Sequence, residues 1–110
     1  MSSAITEGAD GWLAKTVSPA SEIIQLVIYT ANTVDAGDTV AIDLSKYGMQ
    51  TPLAIFGNSH TAAGELETEA PTVSVSGTTM TITVIGGTDD DTRSWVITGL
   101  GYGITWTALT

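Results

Sequence analysis

The stretch TVSVSGTTMTITV, residues 72–84, does most to limit what this chain can fold into. Its apolar side chains recur at every second position: Val73 and Val75, then Met80, Ile82 and Val84, with Thr or Ser between them. A period of two is the repeat of a pleated strand, and a helix cannot gather such a set on one face. Gly77 interrupts the run, so the stretch reads as a hairpin whose Val73, Val75, Met80, Ile82 and Val84 all point inward. Residues 38–44, DTVAIDL, repeat the pattern with Val40, Ile42 and Leu44 on one side. Thr fits a half-buried pleated surface, whereas the helix formers Lys, Arg, Glu and Gln are scarce. These features together predict an all-β chain.

The rest of the chain follows from that frame. The run EIIQLVIYTAN between Glu22 and Asn32 admits two readings. Ser18 and Pro19 could open a helix, but the run is short and rich in β-branched residues, so a central strand, apolar on both faces except at Gln25, is expected. Residues 33–37 turn the chain and residues 45–51 form a loop. Pro52 opens a strand over 53–56, and residues 57–70 form a second loop. Residues 86–93 form a third loop, before a strand over 94–98. The glycines Gly99, Gly101 and Gly103 then bend the chain into a last strand over 104–109. The sum is about seven strands, as in an antiparallel β-sandwich or small β-barrel. Residues 1–20 lack sustained periodicity and read as an extended N-terminal arm, the alternative being a first edge strand from Trp12 to Val17. Residues 21–110 read as a single β-sandwich domain, and 110 residues suffice for one core.

Charge and composition narrow the function. Twelve acidic residues against three basic ones give a net charge of −9, which opposes binding to nucleic acid or to an anionic membrane. The absence of Cys excludes disulfides, thiol catalysis and Cys-type zinc sites. The opening MSSAITEGADGWL has no basic segment followed by an apolar one, which predicts a protein that stays where it is made. No apolar run approaches the roughly 20 residues of a membrane span.

Four groups of residues invite a chemical reading. Asp89, Asp90 and Asp91 could hold a cation, but adjacent side chains diverge in an extended segment and a D-x-D-x-D-G pattern is missing. A solvated turn, partly neutralised by Arg93, is the simpler expectation. His60 with Glu65, Glu67 and Glu69 offers one imidazole where catalytic zinc takes two or three, and the three glutamates would share one wet strand face. The spacing of Gly99, Gly101 and Gly103 departs from a phosphate-binding G-x-G-x-x-G and leads into a strand, so a bend or bulge is expected. Trp95 and Trp106 sit in strand-like alternation and read as core or interface. Trp12 and Leu13 sit where little else would bury them and read as a partner-binding pair. No catalytic constellation and no cofactor site emerges.

The segments ANTVDAGDTVAIDLSKYGMQTPLAIFGNSHT (31–61) and PTVSVSGTTMTITVIGGTDDDTRSWVITG (71–99) resemble the head decoration, or cement, proteins of tailed bacteriophages. The matching elements are the VDAGDTVAIDLS strand, the GNSHT turn, the SGTTMTITV hairpin and the acidic loop ahead of a core strand. The resemblance implies a β-sandwich or β-tulip-like domain on the outer capsid surface, made in the host cytoplasm. It also implies contact with the major capsid protein, self-association (a trimer, for instance), and neither enzymatic activity nor cofactor. A β-sandwich module that recognises carbohydrate or a receptor, at a tail or fibre tip, is the alternative.

Overall fold

A computed structural model describes residues 3–17, 23–86 and 89–102. Two sheets pack face to face as a sandwich. The first has four strands in the order β1-β4-β8-β7: β1 (Ala4–Ile5), β4 (Thr39–Asp43), β8 (Thr79–Thr83) and β7 (Thr72–Ser76). The second has five strands in the order β2-β3-β9-β5-β6: β2 (Trp12–Val17), β3 (Ile23–Thr30), β9 (Thr92–Gly101), β5 (Met49–His60) and β6 (Leu66–Thr68). All pairings are antiparallel except that of β1 with β4.

The all-β sandwich expected from the alternation is therefore the fold, with nine strands among the described residues rather than about seven. Three strands are additional to those expected, β1, β2 and β6, of which β1 and β6 are two and three residues long, too short to display a period. The 72–84 hairpin forms in the expected register, Val73 opposite Ile82 and Val75 opposite Met80, with Gly77 in the left-handed conformation at the turn. Val75 nevertheless stays exposed. Val40, Ile42 and Leu44 are fully buried, as their spacing requires. The ambiguous run resolves as strand β3, interior to its sheet, with Ile24, Leu26 and Ile28 buried. The expected last strand, 104–109, with Trp106, lies outside the described residues, as do Pro19 and Glu22.

The reading of an arm over residues 1–20 needs correction for residues 3–17. Trp12 is 4% exposed and packs in the same core cluster as Ile28, Val34 and Trp95, its indole Nε1 donating to the carbonyl of Ile5 at 3.1 Å. The strand it opens is the edge of the five-stranded sheet, the alternative weighed for Trp12 to Val17. Residues 6–11 loop back at that edge, where Gly8 N–H donates to the Trp12 carbonyl and Trp12 N–H to that of Thr6. Lys46, in the 3₁₀ turn Leu44–Tyr47, reaches the Glu7 carboxylate at 2.8 Å, and the Tyr47 hydroxyl donates to the same group at 2.9 Å. These hydrogen bonds hold the Glu7 carboxyl below the usual carboxylate range and raise Lys46 above its own.

Candidate functional site

Register settles what each sheet shows to its surroundings. Directly opposed residues in an antiparallel ladder point to the same side, so rows can be traced across the sheet. On the outer side of the five-stranded sheet one row runs Leu13, Tyr29, Ser94, Asn58, Thr68, and the next runs Lys15, Val27, Val96, Phe56. A third runs Val17, Gln25, Thr98, Ala54, and His60 with Leu66 completes the far corner. Leu13, Tyr29, Phe56 and Leu66 are each more than half exposed, Phe56 at 69%. Five strands at ~4.8 Å spacing and rows at ~3.4 Å per residue make a face of about 24 by 20 Å, on which these apolar side chains alternate with polar ones.

The outer side of the four-stranded sheet has the opposite chemistry. Its rows are Ala4, Thr39, Thr83, Thr72, then Ala41, Thr81, Ser74, then Asp43, Thr79, Ser76. Hydroxyls cover it, and water satisfies them. The asymmetry extends to charge. None of the traced positions on the five-stranded face is acidic, and its one formal charge is Lys15, in a chain with twelve carboxylates.

Several of the described acids lie at the ends and edges instead. Asp38 is buried and organises one end: its carboxylate accepts from Asp35 N–H at 2.8 Å and from Ser3 N–H at 2.9 Å, tying β1 to the 31–38 loop. The aspartate triplet zips onto that loop through three divergent contacts. Asp89 Oδ1 accepts from Ala36 N–H, Asp90 N–H donates to Asp35 Oδ1, and Asp91 N–H donates to the Val34 carbonyl. Among the described residues no three His, Cys, Asp or Glu side chains are grouped to hold a metal ion.

Arg93 departs from its expected role. Its guanidinium does not sit among the aspartate carboxylates but is fully buried on the inner side of β9, beside Trp95 and Ile97 in the strand's alternation. Nε donates to Glu69 Oε1 at 3.0 Å, Nη1 to the carbonyls of Val34 and Asp91, and Nη2 to that of Gly86. Glu69 is correspondingly buried, while Glu65 and Glu67 are exposed, so the three glutamates do not share one wet face. The signal was present in the sequence: Arg93, Trp95 and Ile97 have the same parity, which places Arg93 inward once Trp95 is core.

His60 is drawn away from the glutamates to the five-stranded outer face. Its Nε2 lies 2.8 Å from Ser94 Oγ, and its ring meets Tyr29 edge-on at 5.6 Å. A Ser–His contact is the start of a nucleophile. Here, however, Ser94 and His60 belong to paired strands whose amides serve the ladder, and among the described residues traced on this face none is a carboxylate that could orient the imidazole. Of the expected partner-binding pair, Leu13 belongs to the exposed face and Trp12 to the core. Gly99 and Gly101 do not bend the chain but lie within β9, opposite two register shifts in β5, and Gly103 lies outside the described residues. Among the described residues no helix is long and apolar enough to cross a membrane.

The candidate site is the outer face of the five-stranded sheet of a two-sheet β-sandwich. No family model matches the chain, and no curated protein matches it. Among solved structures, the bovine atadenovirus type 4 fibre head protein is similar over 79% of this chain and 95% of that one, with a TM-score of 0.44 and 14% identity.

Proposed function

We propose that this chain is a non-enzymatic structural protein of a virion that decorates and stabilises the outer surface of a bacteriophage capsid. One observation carries the reading: a sheet face with exposed Leu13, Tyr29, Phe56 and Leu66 and no acid among its traced positions backs onto a sheet whose other side is rich in Thr and Ser. Such a sandwich has one side suited to contact and one suited to water. The sequence resemblance over residues 31–99 supports the same assignment, and the charge of −9 suits a shell protein held clear of packaged DNA. In this reading Leu13, Tyr29 and Phe56 seat on the major capsid protein, with Lys15 available to an acidic residue there, and copies associate on the lattice.

The test is cosedimentation with DNA-free heads assembled from the major capsid protein of the same phage. The wild-type protein should saturate at a fixed number of copies per capsomer. Phe56→Asp and Leu13→Asp should abolish binding, and Thr81→Asp on the opposite face should not. Equal binding by Phe56→Asp would refute the assignment of the face. The exposure of Tyr29 and Phe56 also suits stacking on a sugar ring, as in a receptor-binding module. Saturable hits on a glycan array, lost in Phe56→Asp, would favour that second reading.

A further inference from the structure

At one end of the sandwich, the inner face of the five-stranded sheet becomes polar. Ser59 on β5 stands opposite Arg93 on β9 and opposite Glu67 on β6, so all three point to the inner side, and Glu69 follows two residues after Glu67. Ser59, Glu67 and Glu69, with Thr68, Ala70, Ile85 and Gly86, line a cleft of about 410 Å³. Two polar atoms of that lining are buried without a hydrogen-bond partner, Ser59 Oγ and Glu69 Oε2. Ser59 is 2% exposed and Glu69 is 9% exposed. Buried polar atoms left unpaired are destabilising, and their persistence beside a cleft points to a donor that arrives from outside.

We propose that this cleft binds a primary alkylammonium, the head group of a lysine side chain presented by a partner protein. The acceptors set the choice. Arg93 Nε already occupies Glu69 Oε1, so Glu69 has one oxygen left and cannot take the bidentate fork of a second guanidinium. An ammonium is a compact charge with three donors, and the cleft supplies three acceptor groups: Glu69 Oε2, Ser59 Oγ and the Glu67 carboxylate. Glu67 and Glu69 against Arg93 leave the site one negative charge in surplus, and the net charge of the chain adds to the attraction. Ile85, largely exposed, and Ala70 offer an apolar wall for the methylene stem. The site lies at the sandwich end, apart from the outer sheet face, and stands whether or not the shell reading does.

The test is a ¹⁵N–¹H NMR titration of the whole chain with Nα-acetyl-lysine N-methylamide, with the norleucine analogue, which lacks the ammonium, as control. The lysine compound should shift the amides of Ser59, Thr68 and Gly86 saturably, with a dissociation constant on the order of millimolar for so small a ligand, and the norleucine analogue should not. Ser59→Ala should weaken binding about tenfold, the effect of one hydrogen bond to a charged donor. Glu67→Gln, at an exposed position that leaves the Arg93–Glu69 pair intact, should weaken it several-fold. Equal shifts with the norleucine compound, or lysine affinity unchanged in both folded variants, would overturn the proposal and leave a hydrated cavity.

Discussion

Replacing Trp12 with Ala should cost about 3–5 kcal/mol of folding stability, as for other buried tryptophans. The magnitude follows from its place in the fold. Trp12 is 4% exposed, and a buried indole removes ~150–250 Å² from water. At about 25 cal/mol per Å² that is ~4–6 kcal/mol, of which an Ala side chain retains a part. The indole hydrogen bond to Ile5 is lost as well, which loosens β1 against β4. The assay is urea unfolding followed by far-UV circular dichroism. With a slope of ~1.5 kcal/mol per molar urea, the midpoint should fall by about 2–3 M. Leu13→Ser, one residue along and 54% exposed, should move the midpoint by less than about 0.5 M, since surface changes stay within roughly ±0.5 kcal/mol. A Trp12→Ala variant within ~1 kcal/mol of wild type would mean that residues 3–17 are an appendage after all, and that burial of Trp12 in the common core is wrong.

Arg93→Met should destabilise by roughly 3–5 kcal/mol, because Glu69 is left buried without its partner and the carbonyls of Val34, Asp91 and Gly86 lose charged donors. The double variant Arg93→Met/Glu69→Leu should recover part of that loss in the same urea assay. Gly57→Ala should cost about 1–3 kcal/mol, since a Cβ there would lie 2.5 Å from the Glu69 carbonyl oxygen and 2.7 Å from Trp95 Cδ1; a neutral effect on thermal midpoint would show that the Trp95 indole does not rest on this glycine. The Glu7 carboxyl, lowered from its ordinary 4.5 by the hydrogen bonds of Lys46 and Tyr47, contributes stability above that ordinary value and loses it as pH falls through the folded one. Lys46, raised from 10.5 chiefly by its hydrogen bond to Glu7, contributes below that value and loses it as pH rises through its folded one. The stability gap between wild type and Lys46→Met should thus be present at neutral pH and close on acidification, and a gap independent of pH would show that the pair does not act through charge.

The elements legible in the sequence are those with one wet face. β4, β7 and β8 alternate because water lies on one side and core on the other, so parity alone places Val40, Ile42, Met80 and Ile82. β2 defeats the same rule by inversion. In WLAKTV the inner positions after Trp12 are the small or polar Ala14 and Thr16, whereas Leu13 and Val17 point outward. Parity therefore gives no signal, and the segment reads as an arm. β5 fails differently. Pro52 and Gly57 punctuate it like loop residues, yet it runs from Met49 to His60. Pro52 is accommodated because β6 pairs only with residues 58–60, leaving β5 as the sheet edge there, beside two register shifts. Gly57 is accommodated because Trp95 needs the space. The exposed outer face of the five-stranded sheet was legible only in pieces. Tyr29, Phe56 and Leu13 lie far apart in the chain, and only the pairings among β2, β3, β9 and β5 bring them onto one side.

Where the charge sits argues further for a face that is meant to be covered. An exposed sheet edge invites another strand, and proteins blunt such edges with short strands and charged side chains. β6 is three residues long and carries Glu67, with Glu65 beside it. The edge strand β2 carries Lys15, and its first residue is wrapped by the 6–11 loop. The aspartates close one end of the sandwich, and Thr and Ser cover the outer side of the four-stranded sheet. Among the described residues, the five-stranded outer face differs from these in carrying a single charge and several exposed large apolar side chains. A chain under pressure for solubility alone would place one of its twelve carboxylates at Val27 or Val96, central on that face, or at Phe56, which ends their row on β5. Keeping them apolar costs solubility and adds little to the core. The arrangement fits the proposal that a partner surface excludes water from this face.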